Sequence, residues 1–168
     1  MAAPRRLSQA ISEGDGISLI AEVDGAASAE EAERAGAKAV VLSAAGADTR
    51  PVRDATTLPL IVFGDDVHGV ADACVVAAGA EAPQNDTELV FNVTSDEELE
   101  DALERHDPEI LLLSPGDEGV EPVLELLADV PAGKLAIGVL RNPVADELAE
   151  LERAGCDAVL VGALTPAA

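Results

Sequence analysis

The chain alternates between short, predominantly apolar runs and longer acidic stretches. The apolar runs occupy residues 17–23, 37–43, 59–64, 72–78, 88–93, 109–114, 134–139 and 157–162. Because they lack the apolar–polar alternation of a half-exposed strand, they predict strands that are buried on both faces. The runs number eight, which is the number of strands in a closed parallel barrel.

Acidic amphipathic stretches separate several of these runs and carry helix start signals. They span residues 28–36, 95–107, 117–130 and 142–155. Ser95 precedes two acidic residues and Asn142 precedes a proline, patterns typical of an N-cap followed by a favourable first helical turn. Strand and helix therefore alternate, and this order predicts parallel strands joined by right-handed crossovers.

Two sequence segments are nearly the same, ERAGAKAVVLS at 33–43 and ERAGCDAVLVG at 152–162. In each copy a glycine is predicted to end a helix and an apolar run to enter the sheet. An open doubly wound sheet is the alternative to a closed barrel, but no GxGxxG follows the first run. We therefore predict a minimal (β/α)8 TIM barrel, an α/β fold of one domain over 1–168, with 1–16 as an N-terminal lead-in helix.

The chain is short for such a barrel, which usually needs about 250 residues. The connections at 65–71, 79–87 and 163–168 leave no room for full crossover helices, so the third, fourth and eighth outer helices are predicted to be shortened or lost. The second, within 46–58, is predicted to have one or two turns at most.

Missing outer helices would leave aliphatic strand surface exposed at 59–64 and 72–78. Because parallel strands are normally covered on both faces, such a surface favours a contact site. We predict a homodimer that buries the outside of these two strands. The alternative cover is the N-terminal segment 5–13, folded back as a local helix.

Charge and aromatic content exclude several classes of partner. Acidic residues outnumber basic ones 33 to 10, giving a formal net charge of −23 that repels nucleic acid and anionic membranes. Two Phe, with no Trp or Tyr, leave few surfaces on which a base could stack. Both a salt-adapted host and a strongly solvated surface agree with this charge.

Several features bear on the compartment. No apolar run approaches the roughly 20 residues of a membrane helix, and the two N-terminal arginines precede no apolar stretch of a secretory signal. We therefore predict a cytoplasmic location. Cys74 and Cys156 are predicted to be small buried residues, with a disulfide between them as the alternative.

Five segments in order carry a resemblance: RRLSQAISEGDGISLIAEV, AERAGAKAVVLS, LPLIVF, LVFNVTSDEELEDAL and AGCDAVLVGAL. Together they resemble the indole-3-glycerol phosphate synthase family, (β/α)8-barrel lyases of tryptophan synthesis. The resemblance is strongest at IAEV, SDEEL and DAVLVG. It implies eight strands with an active site at their carboxyl ends.

Transferred position by position, this resemblance implies that most of the lyase chemistry is absent. Glu22 matches the catalytic carboxylate of the first strand, but Asp24 stands where the family has lysine. The place of the third-strand general-acid lysine falls at about Phe63. Lys38 and Lys134 are the only lysines, and both lie at strand starts. Of the catalytic residues, only Glu22 is therefore predicted to remain.

Two kinds of ligand site stay open at the same end of the barrel. Gly138, Arg141 and Gly162 are predicted to bind phosphate through backbone amides and one cation. Asp24, Asp65 and Asp66 could bind a hard cation such as Mg²⁺ or Ca²⁺ through oxygen atoms. Glu22, Asn92 and Ser114 are possible further ligands of that cation.

Three functions follow from these sites. The first is a non-catalytic binding or assembly protein, or one that binds a phosphorylated small molecule. The second is an enzyme, either a weakly active lyase of the synthase type or one acting on another phosphorylated metabolite. The third is a scaffold for a divalent cation. No cofactor is predicted.

Overall fold

The eight apolar runs form the eight strands of a closed barrel. The computed structural model describes residues 7, 10–11, 17–23, 25–42, 49–63, 71–77, 88–106, 108–115, 120–131, 133–140 and 145–161. Its strands are β1 Ser18–Val23, β2 Ala39–Leu42, β3 Leu60–Phe63, β4 Ala73–Ala77, β5 Glu88–Val93, β6 Ile110–Leu113, β7 Leu135–Leu140 and β8 Ala158–Val161. All neighbours pair in parallel and in chain order, and β8 closes on β1. The predicted TIM barrel is confirmed.

Helices follow five of the strands in the described part of the chain. They are α1 Ala26–Arg34, α2 Thr49–Ala55, α3 Asp96–Arg105, α4 Glu121–Leu127 and α5 Ala145–Arg153. The seven residues of α2 confirm the prediction of one or two turns. The stretches after β3, β4 and β8 lie outside the described residues, so the shortened third, fourth and eighth helices stay predictions. None of the helices described here has both the length and the apolar character needed to cross a membrane.

The sequence segment repeated at 33–43 and 152–162 forms the same helix ending in both places, which explains the repeat. Gly36, just past α1, has φ of 94°, a conformation that favours glycine. The next N–H, of Ala37, donates to the carbonyl of Ala32 at 3.0 Å, as in a Schellman cap. Gly155 ends α5 in the same way, with φ of 97°. Each cap turns the chain from a helix into a buried strand.

Leu7 and Ile11, two described residues near the N-terminus, pack into the amino end of the barrel. Leu7, Ala10 and Ile11 have helical backbone, and Leu7 and Ile11 are 0% and 3% exposed within the interior cluster. The Leu7 N–H donates to Glu88 Oε1 at 2.8 Å, at the start of β5. Small side chains at this end leave room for Leu7 and Ile11: Ser18, Ala39, Ala73 and Ala158. These two residues therefore fill the inside of the barrel, whereas the sequence suggested that 5–13 could cover its outside.

The outer faces of β3 and β4 are covered within one chain. Leu60, Val62, Cys74 and Val76 point away from the interior and are 0%, 5%, 0% and 7% exposed. The aliphatic surface expected there is therefore not exposed, and the physical reason for the predicted homodimer is lost. Self-association itself stays a prediction.

A polar cluster holds α2 against the amino ends of β3 and β4. Arg53, in the last turn of α2, forms an ion pair with Asp72 at 2.7 Å and donates to the carbonyl oxygens of Thr56 and Leu58. Asp72 also accepts the N–H of Leu60 at 2.8 Å. Charge-assisted hydrogen bonds thus connect the short helix to the sheet, in addition to the packing of its buried Val52.

Both cysteines are free and buried, which confirms the first of the two sequence interpretations and leaves no disulfide. Cys74 is on the outer face of β4, and Cys156 lies just before β8. Burial raises the pKa of the Cys156 thiol to about 11, and the thiol donates to the carbonyl of Ala158 at 3.1 Å. Both side chains therefore act as small apolar residues of the outer layer.

Candidate functional site

The interior of the barrel changes from apolar to polar toward the carboxyl ends of the strands. Its deeper positions are aliphatic and buried: Ile20, Val41, Ile61, Val75, Val90, Ile110, Leu112, Ile137 and Leu160. Glu22, Asn92 and Ser114 each come two residues after one of these positions. Because alternate residues of a strand share a face, all three side chains face the interior. We call these three residues the polar layer and the carboxyl end of the barrel the mouth.

Two members of the polar layer are joined directly. Ser114 directly follows β6, and its backbone N–H donates to the carbonyl of Val93 at 2.9 Å, which extends the pairing with β5. The Ser114 hydroxyl donates to Oδ1 of Asn92. Both side chains are partly exposed. They form a hydroxyl–amide pair on one wall of the mouth.

Glu22 lies on the opposite wall. It is the last but one residue of β1, and β1 and β5 are four strands apart in either direction around the barrel. Its side chain is partly exposed. Val139, on β7, is a partly exposed apolar residue that faces the interior at the same level. The mouth therefore has a carboxyl group on one side, an amide and a hydroxyl on the other, and apolar side chains below.

Most of the predicted site residues lie outside the described part of the chain, so their roles stay predictions: Asp24, Asp65, Asp66, Arg141 and Gly162. Among the residues that are described, no three His, Cys, Asp or Glu side chains are grouped as metal ligands. Glu22 and Gly138 are described. Glu22 faces the mouth, as its proposed role requires, and that role also stays a prediction.

Gly138 lies where a helix of the outer layer packs closely against β7. It lies in β7 one residue after the inward-facing Ile137, so its missing side chain would point outward. A Cβ atom there would lie 2.9 Å from Cγ1 of Val123 on α4 and 3.6 Å from Sγ of Cys156. The glycine thus allows α4 to approach the sheet closely. Its predicted contact with phosphate is not tested by this geometry.

Sequence reasoning considered Asn92 and Ser114 only as extra cation ligands and missed that they pair with each other. The available signal was the polar residue at the end of an otherwise apolar run, in ELVFNV and in EILLLS. The pairing depends on the register of β5 and β6, in which Asn92 lies beside Leu112. A one-residue shift would have turned one of the two side chains outward.

Two other polar groups, Glu33 and Asp157, have shifted pKa values. The carboxylate of Glu33, at the end of α1, accepts hydrogen bonds from the Thr56 hydroxyl at 2.6 Å and from the Thr57 N–H at 3.0 Å, and these bonds lower its pKa. Partial burial raises the pKa of Asp157, which accepts the N–H of Ala136 at 2.9 Å. Both groups connect the layers of the fold near the amino ends of strands.

Comparisons with known proteins identify the fold but no family. No protein-family model and no protein with a curated description matches the sequence. Solved structures do match. One is 2,3-dimethylmalate lyase, a PEP mutase/isocitrate lyase superfamily member, with 14% identity and a TM-score of 0.66 over 96% of this chain and 81% of that chain. Oxaloacetate acetylhydrolase matches with 13% identity and a TM-score of 0.68 over 98% of this chain and 81% of its own.

A third similar structure is the N-acetylmannosamine-6-phosphate 2-epimerase from Clostridium perfringens. It has 15% identity and a TM-score of 0.64, over 86% of each chain. At such low identity these likenesses establish the shared barrel and no shared activity.

The resemblance to indole-3-glycerol phosphate synthase is therefore wrong. The similar structures belong to the PEP mutase/isocitrate lyase superfamily and to an epimerase, and no family model supports the synthase. The mistaken resemblance has a physical reason: the repeated sequence segment encodes a Schellman cap followed by a buried strand. Any barrel with this helix ending favours similar residues. The inference that catalytic lysines have been lost depended on that family and is withdrawn with it.

Proposed function

We propose that this barrel binds a small carboxylated or phosphorylated metabolite at its mouth and acts on it as an enzyme, with Glu22 as the acid–base group. The observation that carries the proposal is the polar layer, in which Glu22, Asn92 and Ser114 face the interior above an aliphatic core. Active sites of TIM barrels lie at this end in essentially every characterised case.

Stability alone gives no reason for polar side chains at these positions. The interior positions directly below the polar layer, Ile20, Val90 and Leu112, are aliphatic and buried, whereas the polar layer itself is partly exposed at the mouth. A chain selected only for a stable barrel would fill the upper layer with the same side chains as the lower ones. Residues that oppose the local demands of a fold are expected at functional sites.

The names of the similar structures suggest the class of ligand. Dimethylmalate and oxaloacetate, in the names of two similar structures, are small carboxylates, and the third name contains a sugar phosphate. In this chain, Gly138, Arg141 and Gly162 are the residues proposed to bind a phosphate group. The apolar side chain of Val139 would contact the carbon skeleton of such a ligand.

The two walls of the mouth suit a reaction that begins with proton transfer. Glu22 on β1 would exchange a proton with a ligand hydroxyl, or with a carbon next to a carbonyl. The pair on β5 and β6 would bind the opposite end of the ligand. A positioned acid or base of this kind typically contributes about 10² to 10⁴ in rate.

The test is a methyl NMR titration of the intact chain, with malate, glucosamine 6-phosphate and inorganic phosphate as separate probes. Each titration is run with and without Mg²⁺, which also tests the proposed cation site of Asp24, Asp65 and Asp66. At least one probe is expected to shift the methyl signals of Val139 and to bind more weakly to the Glu22→Gln variant. Glu125→Gln, an exposed position on α4, is the matched control. Shifts confined to the outer surface, or no shifts at all, would refute the proposal.

A further inference from the structure

We infer that Asn92 is the group that binds an acceptor oxygen of the ligand, and that Ser114 is a positioning residue that sets the orientation of the Asn92 amide. The inference rests on the proposed function and deepens it. It specifies a carbonyl, carboxylate or phosphoryl oxygen on the part of the ligand that faces β5 and β6.

The orientation follows from the hydrogen bonds that each group can make. An asparagine side chain offers one acceptor oxygen and an NH₂ group with two donors. Oδ1 of Asn92 accepts the hydroxyl of Ser114, so the acceptor side of the amide is occupied. Within the described residues, Nδ2 has no hydrogen-bond acceptor, and Asn92 is partly exposed on the interior face. The donors are therefore the part of this amide that is available to a ligand.

Ser114 can fix this orientation because it is itself fixed. Its backbone N–H donates to the carbonyl of Val93 at 2.9 Å, so the residue continues the β5–β6 pairing beyond the end of β6. The hydroxyl is therefore held beside Asn92 by the sheet rather than by a loop alone. Rotating the amide by half a turn would reverse this hydrogen bond, with Nδ2 donating to the Ser114 Oγ, and would turn Oδ1 instead of the donors toward the mouth.

The opposite wall selects a complementary end of the ligand. Glu22 lies across the mouth from Asn92, because β1 and β5 are on opposite sides of the barrel. A group with donors only, such as Nδ2, binds acceptor oxygens, whereas a carboxyl group also binds hydroxyl groups. The ligand would therefore turn an oxygen acceptor toward Asn92 and a hydroxyl or an acidic C–H toward Glu22. A hydroxy acid has both groups.

The experiment follows the side-chain NH₂ signals of Asn92 by NMR in the intact chain. Malate and inorganic phosphate, at millimolar concentrations, are the probes, and ethylammonium, which offers donors only, is the control. Malate or phosphate is expected to shift the Asn92 NH₂ signals together with the methyl signals of Val139, and ethylammonium is expected to leave the NH₂ signals unchanged. Asn92→Asp, which keeps the shape but removes the donors, should weaken binding about 10- to 100-fold.

The role of Ser114 has its own measurement. Ser114→Ala should move the Asn92 NH₂ signals in the free protein and weaken binding of the probe several-fold, and Ser114→Thr, which restores a hydroxyl, should recover both. A loss of packing alone would not be rescued in this way. Unmoved NH₂ signals in Ser114→Ala would overturn the positioning role.

The outcomes separate this inference from the proposed function. If a probe shifts Val139 and the backbone of Glu22 but not the Asn92 NH₂ group, the assignment of Asn92 is overturned and metabolite binding stands. If ethylammonium shifts the NH₂ signals as strongly as malate does, the preference for acceptor oxygens is overturned. If no probe shifts any residue of the mouth, both proposals are refuted.

Discussion

Gly138 offers a direct test of how closely α4 packs against β7. Gly138→Ala adds one methyl group, whose carbon would lie 2.9 Å from Cγ1 of Val123. Carbon atoms in favourable contact are about 3.5–4.0 Å apart, so one of the two groups must move. Val123 is wholly buried, and its branched side chain has few alternative rotamers. We therefore expect the space to open only by a shift of α4.

Two opposing effects set the magnitude. Overpacking a well-packed core typically costs about 1–3 kcal/mol. Replacing glycine by alanine at a backbone conformation that alanine can adopt gains about 0.4–1 kcal/mol, because the unfolded chain loses freedom. Overpacking is the larger effect, so we expect a net loss of about 1–2 kcal/mol. In a chain of this size that lowers Tm by about 2–8 °C.

The assay is urea denaturation of the single and double variants. Val123→Ala removes the group that the new methyl would contact, so Gly138→Ala should cost less in that background. The coupling between the two changes should be about 1 kcal/mol. A Gly138→Ala protein as stable as the parent chain, or a coupling near zero, would refute the packing derived for β7 and α4.

Three further predictions concern the amino end of the barrel and the helix ends. Leu7→Ala should lower the free energy of unfolding by about 2–4 kcal/mol in urea denaturation, because Leu7 is wholly buried in the interior cluster, and a loss below about 1 kcal/mol would contradict its place there. Ser18→Ala should be neutral or stabilising by up to about 1 kcal/mol in the same assay, since the buried Ser18 hydroxyl has no hydrogen-bond partner among the residues that the structure describes; a clear destabilisation would reveal a partner. The pKa of Glu33 is lowered from its ordinary value of 4.5 in the folded chain, so its contribution to stability is present above that pH and is lost as the pH falls. Glu33→Gln should therefore flatten the decrease of Tm on acidification below about pH 4.5, and an unchanged acid profile would count against the hydrogen bonds to Thr56 and Thr57.

The barrel could be predicted from the sequence because its strands are buried on both faces and read as uninterrupted apolar runs. Each run predicted a strand to within one or two residues, and the alternation with acidic helices required parallel pairing. The glycines at 36 and 155 marked helix ends correctly, since each has the positive φ that the cap requires. The same regularity produced the mistaken resemblance to the synthase family, because a helix cap followed by a buried strand is common to barrels of unrelated activity.

Less of the site than of the fold could be predicted. Glu22 was assigned to the carboxyl end of the barrel from its place in the first run and from the family resemblance, whereas its inward direction is known only from the structure, in which it shares a face of β1 with Ile20. The pair of Asn92 and Ser114 depends on the register between two strands, which the sequence does not display. Gly138 was assigned to the phosphate site from its place in the seventh run, and that role stays a prediction; its close packing against α4 is known only from the structure.

The segments that cover the strands could not be predicted either, because they contact the strands from distant parts of the sequence. The outer faces of β3 and β4 were predicted to be exposed, since no full helix could follow either strand, yet their side chains are buried within one chain. Likewise, the inward packing of Leu7 and Ile11 requires the small side chains that Ala39, Ala73 and Ala158 contribute from three strands. Such complementarity between distant segments leaves no periodic signal in the sequence.

The central claim is that the polar layer exists for a ligand and not for the fold. The most direct test measures the free energy of unfolding of a variant that carries Glu22→Leu, Asn92→Leu and Ser114→Ala together, beside the parent chain. If the layer serves a ligand, aliphatic side chains should make the barrel at least as stable as the parent chain, with a gain of up to about 2 kcal/mol. A loss of more than about 1 kcal/mol, the typical net contribution of one hydrogen bond, would show that these residues support the fold and would contradict the account.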